Sequence, residues 1–221
     1  MRASQGLEYR VNEYGVAVLC GIGCCTDEHI IVASDFEGYA VKEIAEKAFC
    51  RVDRIKSVSI PSSVTIIGDQ AFSWCRSLVR INATDVEKIG DRAFMGCEKL
   101  TSFSFGFKLE EIGEKAFAYC SSILAAALPD SVCSIGKSAF EGCRNIGKIY
   151  VSDNVSVIES GTFYSCDKLR KVILPSDLEY IDEYAFAYCI SLLDMDIPHK
   201  TVINKDAFFE CGNLSRDGKV S

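Results

Sequence analysis

The sequence predicts an α/β, β-rich solenoid with a parallel sheet on its concave face. Short 3₁₀ or α turns are expected on the convex face, and a β-hairpin over the first end. Three observations predict it. A phenylalanine recurs as Phe49, Phe72, Phe94, Phe117, Phe140, Phe163, Phe186 and Phe208, in steps of 22 or 23 residues. A cysteine follows all but the first by three places, as Cys75, Cys97, Cys120, Cys143, Cys166, Cys189 and Cys211. After the cysteine comes a short alternating apolar stretch, as in Leu192-x-x-Met195-x-Ile197. A fixed period of this size marks units too small to bury an apolar face alone, which stack into one continuous core.

The cap comes first. Residues 7–11 and 16–20 alternate around the turn Asn12-Glu13-Tyr14-Gly15, which reads as a hairpin. Ile30-Ile31-Val32 reads as the first ladder strand, and Gly38-Tyr39-Ala40-Val41 leads into Ile44 and Ala48-Phe49. One solenoid domain, 1–221, is therefore expected. Residues 1–40 form the cap and first strand, 41–214 about eight repeats, and 215–221 a polar tail.

Within the repeat, Leu192, Met195 and Ile197 point inward, the last two at strand spacing. Pro61, Pro129, Pro175 and Pro198 stop four strands where a ladder donor is no longer needed. Ala-Phe supplies a small residue for close approach and a large plug between turns. Gly68, Gly90, Gly113 and Gly136 each follow an isoleucine, which suggests positive φ or a tight bend. The stretch from that glycine to the cysteine is too short for a full helix, hence the expected 3₁₀ or brief α turn. Strands after a period of 20–29 residues are the mark of leucine-rich-repeat solenoids.

Composition excludes several function classes. The net charge is −7, with no Lys/Arg cluster, so the footprint of a nucleic-acid binder is missing. No stretch approaches 18 apolar residues, so no membrane span is expected. The first eight residues lack a signal-peptide pattern, and residues 15–25 read as strand. Seven of the 12 cysteines belong to the repeat column, where free Cys acts as a small buried hydrophobe. Cys20, Cys24, Cys25 and Cys50 stay open between free thiols, a disulfide and a metal set. Cys20-x-x-x-Cys24-Cys25 lacks the second close pair that zinc prefers. His29 and His199 fall in distant turns and cannot share a site. No catalytic, cofactor-binding or metal-ligating residue is assigned, and no cofactor.

The pattern Ile67-Gly68, Ala71-Phe72, Cys75, Leu78 resembles the BspA-like class of leucine-rich repeats, named for a bacterial surface antigen. The resemblance covers residues 7–214. It implies a right-handed arc, a cell-surface or secreted location, and binding of a host or other extracellular protein. No catalytic residue attaches to this repeat. The asparagine ladder of other leucine-rich repeats is missing, its places holding Ser63, Val86, Lys108, Ser131, Asn154, Asp177 and Lys200.

Function is left to the residues between the repeated ones. On the concave strands the outward pairs are Ser57/Ser59, Arg80/Asn82, Ser102/Ser104, Ala125/Ala127, Lys148/Tyr150, Lys171/Ile173 and Asp194/Asp196. Arg80, Asn82, Lys148, Tyr150, Lys171, Ile173, Asp194 and Asp196 are the candidate protein-binding residues, since Arg and Tyr are favoured at interfaces. A convex stripe of Trp74, Tyr119, Tyr188, Met95, Tyr164 and Phe209 reads as packing between turns. The expected function is a non-enzymatic recognition or adhesion scaffold. A structural spacer array within a larger surface protein is the alternative, and an enzyme a distant third.

Overall fold

The computed structural model describes residues 2–193 and 195–212. Asp194, and the polar tail expected at 215–221, lie outside the described residues. Strand β1 (Glu8–Val11) pairs antiparallel with β2 (Ala17–Gly21), Val11 opposite Ala17. Asn12 closes the turn: its Oδ1 accepts from the backbone N–H groups of Tyr14 and Val16, both at 3.0 Å. β2 then runs parallel to β5 (Tyr39–Ile44), which grafts the hairpin onto the first edge of the coil. Strand β3 (His29–Ile31) starts a ladder, as expected. A second hairpin, β4 (Asp35–Phe36) with β5, turns through Glu37 and Gly38. Both have positive φ, 53° and 83°, the conformation a two-residue hairpin turn needs.

Two parallel ladders line the coil, where the sequence suggested one sheet. The long-strand ladder runs from β3 through Ser57–Ser59, Arg80–Ala83 and Ser102–Phe105. It resumes with Ala125–Ala127, Lys148–Tyr150 and Lys171–Ile173. The short-strand ladder runs from β5 through Ile66–Ile67, Lys88–Ile89, Glu111–Ile112 and Ser134–Ile135. It resumes with Val157–Ile158, Tyr180–Ile181 and Val202–Ile203. A strand of two residues carries too little alternation to be read from sequence.

The glycine column does not have the positive φ that the sequence suggested. It permits close approach instead. A Cβ on Gly113 would lie 2.6 Å from Asp91 Oδ1 and 2.7 Å from the Asp91 nitrogen, and one on Gly136 would lie 2.6 Å from the Glu114 nitrogen. The next residue in this column is Glu159, and there the short-strand ladder is interrupted. The long-strand ladder breaks where Phe103 and Phe105, both packed on Phe117, meet the turn of Ala126.

The third wall corrects the sequence reading. No helix or 3₁₀ segment occurs among the described residues. Each turn from Phe49 to Phe186 instead holds left-handed residues on both sides of its phenylalanine. The position two after Phe is left-handed in all eight turns, from Arg51 (61°) through Trp74, Gly96, Tyr119, Gly142, Ser165 and Tyr188 to Glu210 (55°). The position two before it is left-handed from Lys47 to Tyr184. These kinks rotate alternate amides out of the turn. Ala71, Ser73 and Cys75 donate three residues back within their own turn. Phe72 and Trp74 donate forward to Ala93 and Met95, at 2.8 and 2.6 Å. A 3₁₀ helix would point every amide backwards and leave the turns unbonded to one another.

The core follows from this wall. From Phe49 to Phe208 the rings form one offset stack, with centroids 5.0–5.7 Å apart and planes within 1–17°. Offset stacking is a favoured geometry, and full burial of each ring stabilises by about 1.5–3 kcal/mol. Phe117→Ala should cost about 3–5 kcal/mol in a denaturant titration. Phe107→Ala, at a ring that is 91% exposed, should change stability by less than about 0.5 kcal/mol. Gly113→Ala should cost about 1–3 kcal/mol through overpacking. Gly147→Ala should be tolerated, because its Cβ would meet nothing closer than 3.7 Å.

Candidate functional site

The long-strand ladder presents its outward residues in two straight rows. Parallel register places Ser57, Arg80 and Ser102 side by side, and Ser59, Asn82 and Ser104 in the next row. Beyond the break, Ala125, Lys148 and Lys171 line up, as do Ala127, Tyr150 and Ile173. The inward residues between them, Ile81, Ala126, Ile149 and Val172, are buried and hold the rows in place. Lys148, Tyr150, Lys171 and Ile173 thus form one group. Arg80 and Asn82 are exposed on the other half of the ladder. Asp196 is exposed in a turn without a strand there.

Within the group, the Lys148 ammonium sits 4.3 Å from the centre of the Tyr150 ring. That cation–π contact holds the lysine stem along the face. Lys148 and Lys171 are register neighbours, about 4.8 Å apart strand to strand. A lysine held over a tyrosine beside an isoleucine suits a carboxylate with an apolar neighbour. Ala125 and Ala127 leave a low floor next to them.

Catalytic geometry is thin. His29 Nδ1 lies 2.7 Å from Ser57 Oγ, a contact made by register pairing of β3 with Ser57–Ser59. Sequence reasoning missed this pair because 28 residues separate its members. Both lie on an open sheet face, and among the described residues no acid bonds the histidine ring. A nucleophile, base and orienter are therefore not assembled. In the cap, Cys24 is exposed, Cys25 buried, and Cys20 and Cys50 half-buried, all as free thiols. No group of three His, Cys, Asp or Glu side chains comes together to hold a metal ion among the described residues. No helix there is long and apolar enough to cross a membrane.

The seven column cysteines share one geometry. Each thiol donates to the carbonyl of the phenylalanine one turn back, from Cys75 on Phe49 (3.0 Å) to Cys211 on Phe186 (3.0 Å). All seven are buried. Burial pushes the thiols of Cys75 and Cys143 up to about 12 and raises those of Cys97, Cys120, Cys166 and Cys189. For Cys211 the contact with Cys189 is the larger cause and burial the second. A protonated buried thiol is a poor nucleophile, so this column packs.

A family model described as BspA type leucine rich repeat region matches residues 42–132 and 87–215, in 6 copies. The chain belongs to this family. BspA-type repeats form protein-interaction scaffolds, a fold that is generally not catalytic. Two solved bacterial structures are similar to this BspA-type chain. One is a leucine-rich repeat protein of T. pallidum, at 28% identity and TM-score 0.82, covering 87% of this chain and 91% of that one. The other, from Bacteroides ovatus, has 28% identity and TM-score 0.81, covering 92% of this chain and 59% of that one. No curated protein matches.

The thiol column makes the fold of this BspA-type chain sensitive to alkali. The folded thiols hold their protons more tightly than unfolded ones, whose ordinary value is 9.0. The stability this contributes is fully present below pH 9 and is lost as pH rises toward about 12. Each column thiol should add about 1.4 kcal/mol per pH unit to that loss. Denaturant midpoints should hold up to about pH 9 and fall between about pH 9 and 11, and Cys143→Ala should make the fall shallower. In the native state at pH 8, a thiol reagent should label exposed Cys24 and Cys133 and spare the column until the chain unfolds.

Proposed function

We propose that the long-strand face is the recognition surface of a non-enzymatic adhesion or binding module that acts at the cell surface or outside the cell. One observation carries the reading. Lys148, Tyr150, Lys171 and Ile173 form a charged and apolar group in fixed register on a hydrogen-bonded ladder. Rigid placement lowers the entropy lost on binding, and tyrosine flanked by cations is the kind of cluster that dominates interface energies. The partner is a protein that offers carboxylates beside an apolar side chain, with Arg80 and Asn82 as a second contact on the other half of the face. Asp196, exposed in a later turn, extends the surface toward the last turns. Family membership supports location outside the cell, since the class is named for a surface antigen.

The test is capture of partners from the native surroundings by the unaltered chain and by a chain carrying Lys148→Glu with Tyr150→Ala. The partner retained by the first should bind the second at least about tenfold more weakly, as expected for the loss of a central aromatic and reversal of a neighbouring charge. Equal affinity for both chains would remove the long-strand face from the reading and favour a spacer role.

A further inference from the structure

The turn wall near the C-terminal end carries a feature that the long-strand face does not use. Tyr164, Tyr188, Phe209 and Tyr184 meet edge to face in a continuous chain. Their centroids are 5.3, 5.6 and 6.1 Å apart, with interplanar angles of 67°, 73° and 87°. Tyr184, Tyr188 and Phe209 remain 38%, 37% and 42% exposed.

Earlier on the wall such rings lie against glycines. Trp74 lies over Gly96 and Tyr119 over Gly142, so closely that a Cβ on either glycine would come within 2.5 and 2.6 Å of the ring. Trp74 also takes a cation: the Arg76 guanidinium carbon stands 5.3 Å from its centre. Tyr188 occupies the same place in its repeat as Trp74. The residue two places on is Ile190 in place of an arginine, and the residue one turn on is Glu210 in place of a glycine. Tyr188 therefore has the position of Trp74 without its glycine neighbour or its cation, and it joins an exposed run of rings that Trp74 lacks.

Carboxylates border them. Asp182, Glu183, Asp206 and Glu210 neighbour these rings in the chain. The Tyr184 N–H donates to the Asp206 carbonyl at 3.3 Å and Glu183 precedes Tyr184 in the chain; the charge of Glu183, then burial and the charge of Asp206, raise the phenol above its ordinary range. Among the described residues, only Asp206 of the four has a cationic partner, Lys205 at 3.8 Å.

We propose that this aromatic and acidic patch binds an arginine-rich segment of a partner protein. A guanidinium stacks on aromatic faces and pairs with a carboxylate in the same pose, which a compact ammonium does less well. The Trp74–Arg76 pair shows the arrangement already formed within this wall. The site lies on a different wall from the long-strand face and does not depend on it.

A fluorescent nona-arginine peptide is the probe, and its anisotropy with the full chain is the readout. Saturable binding is expected. Tyr188→Gly and Phe209→Ala should each weaken it about threefold, as expected for loss of a cation–π contact at an exposed site. Tyr150→Ala, on the other face, should leave it unchanged. Tyr188 has φ of 60°, a conformation glycine adopts freely, so Tyr188→Gly removes the ring while easing the backbone. An unchanged melting temperature checks that it folds. Glu183→Gln should weaken binding more than Asp130→Asn, a charge change several turns away. No saturable binding, binding indifferent to Tyr188→Gly, equal effects of the two charge changes, or uptake of a neutral oligosaccharide in place of the peptide would each overturn the proposal.

Discussion

Alternate amides of the turn wall donate to the next turn, and much of the fold is arranged so that those bonds can form. Each phenylalanine N–H from Phe49 to Phe186 reaches the carbonyl of the residue just before the next phenylalanine, at 2.7–2.9 Å. That carbonyl belongs to alanine in every turn but one, where Thr162 is fully buried and turns its hydroxyl onto Glu159 of its own turn. A larger residue there would separate the turns. A buried amide without a partner is costly, so the spacing between turns has little freedom. The Phe stack, the glycine column and the thiols all answer to that spacing.

Much of this was legible in the sequence, because a period in one dimension becomes a column in space. Phe, Cys and Ala could be assigned to the core from their recurrence alone. The turn wall was misread because its left-handed positions hold Lys47, Gln70, Arg92, Lys115 and Tyr184, residue types that do not announce positive φ. The rule that was missed is the pairing of two such positions around each phenylalanine. The glycine column was read as a conformational need, when closeness of backbones is what it serves.

The candidate surfaces divide in the same way. Outward residues of the long strands followed from alternation, and the register places Lys148 beside Lys171 as expected. The contact of Lys148 with Tyr150 and the edge-to-face chain of Tyr164, Tyr188, Phe209 and Tyr184 could not be read, since both depend on side-chain orientation. The convex stripe expected to be packing is divided in fact. Trp74 and Tyr119 are packed on glycines, whereas the later rings are not covered in that way.

The two ladder breaks lie one turn apart and on different walls. The turn holding Ala125–Ala127 and Ser134–Ile135 is tied to its predecessor by the short ladder and the Phe117 amide. It is tied to its successor by the long ladder and the Phe140 amide. Every junction in the middle of the coil therefore keeps two of its three seams. A tensile load along the axis meets no plane across which the bonding is absent on two sides. The turn between the two breaks is thus the place where the walls that carry the load change over.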